Sequence, residues 1–362
     1  MLENSFIYKT EEQIIKEAER VLQNSSNHNN PLLNDYAILL KGYKKIYQRI
    51  QRLIKLGDTQ QLSILQKALK EQKQLTNAYS RFVPLEYLEF LQKESITEVQ
   101  LGDHVSKNMT VMFCDLRSFT KISENMNPQE NFNFINSFLK RVSPIVRNHK
   151  GIIIKYVGDG IMAIFPLNVN DGINAAINML QEVSVYNQEK GKNNSYPIEI
   201  GFGIHVGYMM VGMIGEENRM QGDALSDTVN LTSRLEGLTK YYQVSLIISE
   251  DAYKLIDSKS YNIRFLDNVV VKGRSFPIPI YEVFDSDPIL IKEKKLQTLH
   301  EFEIAQEFYF NRQFAEAAKK FISILEILPH DSTTKLYLER SARYLLEGVP
   351  DDWTGMRIMT NK

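Results

Sequence analysis

The sequence predicts an α+β protein, a ferredoxin-like antiparallel sheet with flanking all-helical N- and C-terminal regions. Most of the 18 glycines lie between Gly102 and Gly273, whereas only Gly42 and Gly57 occur in the first 80 residues. From Met109 onward, short β-rich segments alternate with amphipathic helical segments. Their order, β-α-β-β-α-β, is typical of a split βαβ sheet. We therefore expect an α+β central domain between two helical ends.

The composition indicates no strongly charged macromolecular partner. The 362 residues include 43 Lys and Arg against 44 Asp and Glu, so the formal net charge is −1. Binding to nucleic acid would need a basic surplus on one face, so we expect none. No uninterrupted apolar run reaches the roughly 18 residues that a membrane helix needs, and the acidic start is unlike a signal peptide. With Cys114 as the single cysteine, the chain is expected to be cytoplasmic, without a membrane span.

Residues 1–80 predict a helical region for dimerisation or regulation. Apolar residues from Leu32 to Leu53 recur at alternating spacings of four and three, which is a heptad seam. A break is predicted at Gly57, with a second helix from Asp58 onward. Two arrangements stay open: the helices pack on each other or on the next domain, or they form a parallel coiled-coil stalk between two copies. Residues 81–108 are expected to be a linker.

Residues 295–346 predict a helical pair with the spacing of one tetratricopeptide unit. Small residues, Ala305 and Ala317, stand where two helices would cross, and Pro329 follows the second helix. One such unit cannot bury its own apolar face. We therefore expect it to pack on the central domain or to bind a protein partner, which the N-terminal helices could also do. Residues 347–362 are an expected tail.

Two carboxylates of the central domain are expected at one edge of its sheet. Asp115 follows a strand that ends at Cys114, and Asp159 lies in an Asp-Gly turn between two β-branched segments, which is a strong hairpin signal. Hard divalent cations such as Mg²⁺ take carboxylate and phosphate oxygens, so this pair suits a metal–nucleotide site. Lys155, inside an apolar strand, needs an anionic or acceptor partner.

Three ordered segments resemble the signature motifs of the class III nucleotidyl cyclases. They begin at Phe113, Lys155 and Asp227 and read FCDLRSFT, KYVGDG and DTVNLTSRLE. The resemblance covers residues 109–284, which are expected to be a catalytic domain of the class III cyclase fold. It implies an adenylate cyclase, a lyase that converts ATP to 3′,5′-cyclic AMP and pyrophosphate in signal transduction. The alternatives are a guanylate cyclase and a catalytically silent nucleotide-binding scaffold.

The same resemblance implies the metal ligands and the base-selecting residues. Asp115, Asp159 and the carbonyl of Leu116 would hold two Mg²⁺ or Mn²⁺ ions per site. Lys155 and Asp223 would select adenine, because a lysine donor and an aspartate acceptor complement its ring nitrogen and its amine. Guanine has the reverse polarity at these two positions, and it would leave buried groups unpaired.

The remaining residues implied by the resemblance act on the ribose and the phosphates. Asn230 would position the ribose, and Arg234 would stabilise charge on the α-phosphate. Backbone amides through Phe119 and Thr120 would cradle phosphate oxygens, and Lys272 would bind the triphosphate. In the family, the metal carboxylates come from one catalytic domain, whereas the base-selecting pair, the asparagine and the arginine come from the other. The resemblance therefore implies a homodimer with composite active sites.

Overall fold

A computed structural model describes residues 2–24, 31–79, 85–124, 126–190, 197–217, 219–271, 274 and 276–359. The chain divides into two compact units, Met1–Phe82 and Val83–Lys362. None of the helices in the described ranges combines the length and the apolar composition that crossing a membrane requires.

The first unit consists of two helices in its described part, α1 (Leu2–Asn24) and α2 (Pro31–Tyr79). They contact each other where the Tyr43 hydroxyl donates to a Glu11 carboxylate oxygen at 2.5 Å. The predicted break at Gly57 is wrong, because α2 continues through it for 49 residues. One glycine in a helix costs only about 1 kcal/mol relative to alanine, which a long run of good helix formers offsets. The two halves of α2 therefore do not fold back on each other.

In the described part of the second unit, nine strands form one sheet. The strands are β1 (His104–Leu116), β2 (Ile152–Val157), β3 (Gly160–Phe165), β4 (Ile200–Glu216), β5 (Arg219–Leu225), β6 (Leu246–Ser249), β7 (Ile263–Val270), β8 (Ile278–Val283) and β9 (Arg357–Ile358). The helices are α3 (Leu85–Phe90), α4 (Phe119–Ser123), α5 (Pro128–Asn148), α6 (Val169–Lys190), α7 (Asp227–Tyr242), α8 (Glu250–Tyr253), α9 (Ile289–Phe310), α10 (Phe314–Ile327) and α11 (Ser332–Glu347).

The strand order confirms the predicted α+β class and the ferredoxin-like arrangement of the first four strands. Neighbours follow the order β2-β3-β1-β4-β6-β8-β7-β9, and β5 pairs with β4 outside this path. β1 lies antiparallel between β3 and β4. The whole sheet is mixed rather than antiparallel, since β6 pairs parallel to β4 and β9 pairs parallel to β7. The chain reverses direction twice between β4 and β6, first at β5 and then at α7, so β6 runs in the same direction as β4.

Alternate residues of β1 contribute to two apolar cores on opposite faces of the sheet. Met112, Cys114 and Leu116 are buried with side chains of α5 and α6. Met109 and Val111 are buried on the other face with side chains of α3. This alternation is the two-residue period of a strand that is covered on both sides.

The predicted linker at residues 81–108 is, in its described part, largely folded onto the sheet. Tyr87, Leu88 and Leu91 are buried. The hydroxyl of Tyr87 donates to the carbonyl of Gly212 on β4 at 2.8 Å. β1 also begins within the range expected to be linker. The apolar spacing of these residues is helical, but α3 is too short for the pattern to be distinctive.

Helices α9, α10 and α11 share an aromatic core. The ring of Phe302 packs edge-on against Tyr337, with centroids 6.1 Å apart. Ala305 and Ala317 are fully buried, as expected for small residues at a helix crossing. The region contains α11 as a third helix beyond the predicted pair, and β9 lies in the expected tail. Likeness to a tetratricopeptide unit stays a prediction.

Candidate active site

Asp115 and Asp159 lie side by side at one end of the sheet. β1 pairs with β3 so that Cys114 is opposite Ile161, which brings the β2–β3 turn against the end of β1. Gly160 makes this approach possible, because a Cβ there would lie 2.5 Å from the carbonyl oxygen of Cys114 and 3.3 Å from a carboxylate oxygen of Asp115. The two carboxylates that the hairpin signal places at one edge are therefore adjacent.

The two carboxylates form an electronegative site that suits a divalent cation. Burial raises the pKa of Asp159, and the negative charge of Asp115 raises it further. The ammonium of Lys240, in the last turn of α7, donates to Oδ2 of Asp115 at 2.7 Å. One ammonium does not neutralise two carboxylates, and their oxygens are the ligand type that Mg²⁺ and Mn²⁺ prefer.

The protein supplies only part of a metal coordination shell here. Among the residues that the structure describes, no group of three or more His, Cys, Asp or Glu side chains has metal-binding geometry. Leu116, the buried last residue of β1, follows Asp115 directly and has a carbonyl as its only polar acceptor. Mg²⁺ commonly binds to one or two carboxylates and takes its other ligands from water and substrate phosphates. The donor set therefore fits a cation that arrives with a phosphorylated ligand.

Two charged residues of α7 to which the resemblance assigns no role, Lys240 and Glu236, lie beside this carboxylate pair. The Lys240 ammonium is 4.0 Å from Oε1 of Glu236. Glu236 is 8% exposed, and burial raises the pKa of its carboxyl to about 7; Lys240 opposes this shift and Asp115 adds to it. Within the described chain, Oε1 of Glu236 has no hydrogen-bond partner. Their spacing of four residues is a helical ion-pair signal, but it does not reveal proximity to Asp115.

A glycine of β4 allows α7 to dock close to the sheet beside Asp115. A Cβ at Gly203 would lie 2.3 Å from the backbone nitrogen of Glu236, so only glycine fits there. Arg117 fastens the C-terminal end of the helix by donating to the carbonyl of Thr239 at 3.2 Å. Cationic donors are favourable at this end, where helix carbonyls lack partners. The docking places the last turn of α7 over the carboxylates.

Lys155 and Asp223 form an ion pair between β2 and β5. The Lys155 ammonium donates to both carboxylate oxygens of Asp223, at 2.8 and 2.7 Å. Asp223 is buried, whereas the Lys155 side chain is 40% exposed. The register of β2 shifts between Ile153 and Lys155, so a bulge re-aims the lysine at that point. Asp223 is the anionic partner that a lysine in this strand requires.

Asn230 and Arg234 lie on one face of α7, away from its buried face. The helix begins after Ser226, whose hydroxyl accepts from the backbone nitrogen of Val229 at 3.2 Å. Asn230 is exposed and Arg234 is partly exposed, whereas Leu231 is buried. In the part of the chain described, neither side chain makes a hydrogen bond or an ion pair with another residue. They are therefore available to a second molecule and are not joined to Asp115 or Asp159.

The three remaining candidate residues differ in how the structure places them. Phe119 stacks on Phe134, with centroids 6.1 Å apart, and packs against the core. Thr120 is exposed, and its carbonyl accepts from the Ser123 hydroxyl at 2.9 Å. Lys272 lies outside the described residues.

Comparison with known proteins identifies the family of this chain. Residues 103–284 match the family model described as "Adenylate and Guanylate cyclase catalytic domain". The chain is 34% identical over 280 residues to "Adenylate cyclase, terminal-differentiation specific" of Dictyostelium discoideum, covering 75% of this chain and 13% of that protein. It is 35% identical over 226 residues to the adenylate cyclase of Anabaena cylindrica, covering 60% of this chain and 45% of that protein. The chain thus spans less than half the length of these two relatives.

A solved structure shares the fold. A bacterial light-regulated adenylyl cyclase superposes with a TM-score of 0.54 at 19% identity, covering 65% of this chain and 69% of that one. At this identity the likeness supports the fold alone. It agrees with the mixed sheet and flanking helices of the second unit.

Proposed function

Since the chain belongs to the family of adenylate and guanylate cyclase catalytic domains, we propose that it converts ATP to 3′,5′-cyclic AMP and pyrophosphate. The observation that carries the choice of ATP is the ion pair of Lys155 and Asp223. An ammonium has three donors, so Lys155 keeps one for a ring nitrogen after donating twice to Asp223. The carboxylate keeps lone pairs for an exocyclic amine. This donor beside an acceptor complements adenine and mismatches guanine.

In this proposal, Asp115 and Asp159 hold two Mg²⁺ or Mn²⁺ ions, and the carbonyl of Leu116 assists. When bound, the cations lower the pKa of the ribose 3′-hydroxyl and stabilise charge on the leaving pyrophosphate. The adjacency of the two carboxylates and the raised pKa of Asp159 support a cation at this position. The 3′-hydroxyl loses its proton to water, its oxygen forms a bond to the α-phosphorus, and the bond from that phosphorus to the pyrophosphate oxygen breaks.

Asn230 and Arg234 complete the site from a second copy of the chain. Asn230 positions the ribose, and the guanidinium of Arg234 stabilises charge that develops on the α-phosphate. Their exposure on α7 and their lack of partners among the described residues support this assignment. The backbone at Phe119 and Thr120 would contact phosphate oxygens. Lys272 would bind the triphosphate, a role that only the resemblance supports.

The first unit supports a homodimer. Four residues of the heptad seam on α2 are 60% to 73% exposed, namely Leu32, Leu39, Ile46 and Leu53. Such a seam is the usual contact surface of a coiled coil. A dimeric stalk would raise the effective concentration of two catalytic units that each need the other.

The decisive experiment is turnover by the purified full chain with ATP or GTP as the only nucleotide, in Mg²⁺ or Mn²⁺. We expect cyclic AMP and pyrophosphate in equal amounts, with a clear preference for ATP. Product from GTP alone would favour a guanylate cyclase and overturn the role of Lys155 and Asp223. No product from either nucleotide, with nucleotide binding retained, would favour a silent nucleotide-binding protein.

A further inference from the structure

Lys240 makes an ion pair with one of the two carboxylates assigned to the metal site. Its ammonium lies 2.7 Å from Oδ2 of Asp115. A lysine is an ammonium at neutral pH, and a carboxylate at this distance favours the charged form. The resemblance to cyclases assigns no role to this residue. It is a cation of the protein itself, held where a metal ion would find its ligand.

The charges around Lys240 show why a cation is needed at this position. The ammonium donates to Asp115, which adjoins Asp159, and it lies 4.0 Å from the buried carboxylate of Glu236. Arg117, a second cation that acts on Glu236, is bound to the carbonyl of Thr239 and lies 3.6 Å from Glu199. Without Lys240, Asp115 and Asp159 would be adjacent and unneutralised in metal-free protein, which is unfavourable.

The ammonium of Lys240 can leave Asp115 at low cost. Its side chain is 48% exposed, and a lysine stem is flexible. Oε1 of Glu236 lies 4.0 Å away and has no hydrogen-bond partner in the described structure, so it offers the ammonium a second acceptor. The contact with Asp115 is therefore exchangeable, and the lysine remains paired after it moves.

We propose that Lys240 is a positioning residue that neutralises Asp115 in the metal-free protein and competes with the divalent cation for this carboxylate. The inference rests on the proposed function for the identity of the metal ligands. By competing for Asp115, Lys240 sets the cation concentration at which the site fills. Its charge also keeps the two carboxylates together until the cation binds.

The test is Mn²⁺ binding to the full chain without nucleotide, measured by the paramagnetic resonance signal of free Mn²⁺. Lys240→Met removes the ammonium and keeps the apolar stem, whereas Lys240→Arg keeps the charge. Because an exposed ion pair contributes little, we expect Lys240→Met to lower the Mn²⁺ dissociation constant by about two- to fivefold. Lys240→Arg and the control Lys254→Met, at an exposed lysine paired with Glu250, should leave it unchanged.

A second readout separates competition from simple packing. In EDTA, Lys240→Met should melt at a lower temperature than the unaltered chain, and saturating Mn²⁺ should remove most of this difference. An equal difference in EDTA and in Mn²⁺, unchanged or weaker Mn²⁺ binding by Lys240→Met, or no saturable binding by either protein would overturn the inference. Since cyclic AMP is not measured, the outcome is independent of whether the chain proves to be an active cyclase.

Discussion

The ammonium of Lys155 donates to both carboxylate oxygens of Asp223 at 2.8 and 2.7 Å. This ion pair joins the bulged strand β2 to β5. The hydroxyl of Tyr87 donates to Gly212, which is opposite Asp223 in the register of β4 and β5. Asp223 is thus fixed by its ion pair with Lys155, and the strand next to it is fixed by the packing of α3. We therefore expect a nucleotide base that binds here to meet a donor and an acceptor in a fixed geometry.

Removing the ammonium should weaken use of ATP. Lys155→Met leaves the buried carboxylate of Asp223 with the backbone amide of Ala224 but without its cation. We expect kcat/KM for ATP to fall by about 10- to 100-fold. The double variant Lys155→Glu with Asp223→Cys should raise the ratio of GTP to ATP turnover. The control is Lys140→Met, at an exposed lysine on α5. An unchanged ratio in the double variant would remove the pair from base selection.

Mixed dimers should recover activity that each parent lacks. Asp115→Asn removes a metal ligand and Arg234→Ala removes a charge donor, so each homodimer should lose at least about a hundredfold in turnover. If the sites are composite, a heterodimer of the two variants contains one intact site and one doubly altered site. Random mixing should then restore about a quarter of the unaltered activity. Mixtures no more active than their parents would argue against sites shared between chains.

Glu236 should make the protein less stable as pH rises. Burial raises the pKa of this carboxyl from 4.5 to about 7 in the folded chain. Between these values the unfolded chain has released the proton and the folded chain retains it, so the free energy of unfolding falls with rising pH. Above pH 7 the loss is complete, at up to about 3 kcal/mol.

The variant Glu236→Gln, whose side chain cannot ionise, tests this pH dependence. In urea unfolding it should match the unaltered chain near pH 4.5 and exceed it in stability near pH 8. Glu250→Gln, at a glutamate paired with exposed Lys254, serves as the control. A Glu236→Gln chain that is less stable than the unaltered one at pH 8 would contradict the prediction.

Arg264 should be essential for attaching the C-terminal helices to the sheet. It is 4% exposed, and it donates to Glu282 on β8 at 2.5 Å and to both oxygens of Asp331 at 2.6 and 2.9 Å. Although burial raises the pKa of Asp331, the Arg264 guanidinium and the Thr334 hydroxyl hold it well below its usual value. Arg264→Met would leave two buried carboxylates short of a partner, which costs about 3–5 kcal/mol.

Urea unfolding of the full chain measures this loss, with Arg343→Met, at an exposed position of α11, as the control. A change below about 1 kcal/mol, the usual value of a surface pair, would show that Arg264 contributes little to the attachment of these helices.

Local patterns predicted those parts of the fold whose cause lies within a few neighbouring residues. The β2–β3 hairpin follows from the Asp-Gly turn between β-branched residues. The expected break at Gly57 failed for the opposite reason, because glycine alters helix stability by too little to overrule a long favourable run on both sides. The linker expected at residues 81–108 failed because burial of Tyr87 and Leu91 against the sheet stabilises a helix too short to be recognised by its own pattern.

By itself, the sequence determined the α+β class, the ferredoxin-like arrangement of the first four strands, and the residue types from Asp115 to Arg234 that resemble a cyclase site. Only the tertiary structure decided that Lys240 and Glu236 lie at the carboxylate pair, since that depends on how closely α7 docks at Gly203. It also decided that Asp223 is the partner of Lys155. Contacts between residues far apart in the chain are set by packing distances, which a linear pattern does not contain.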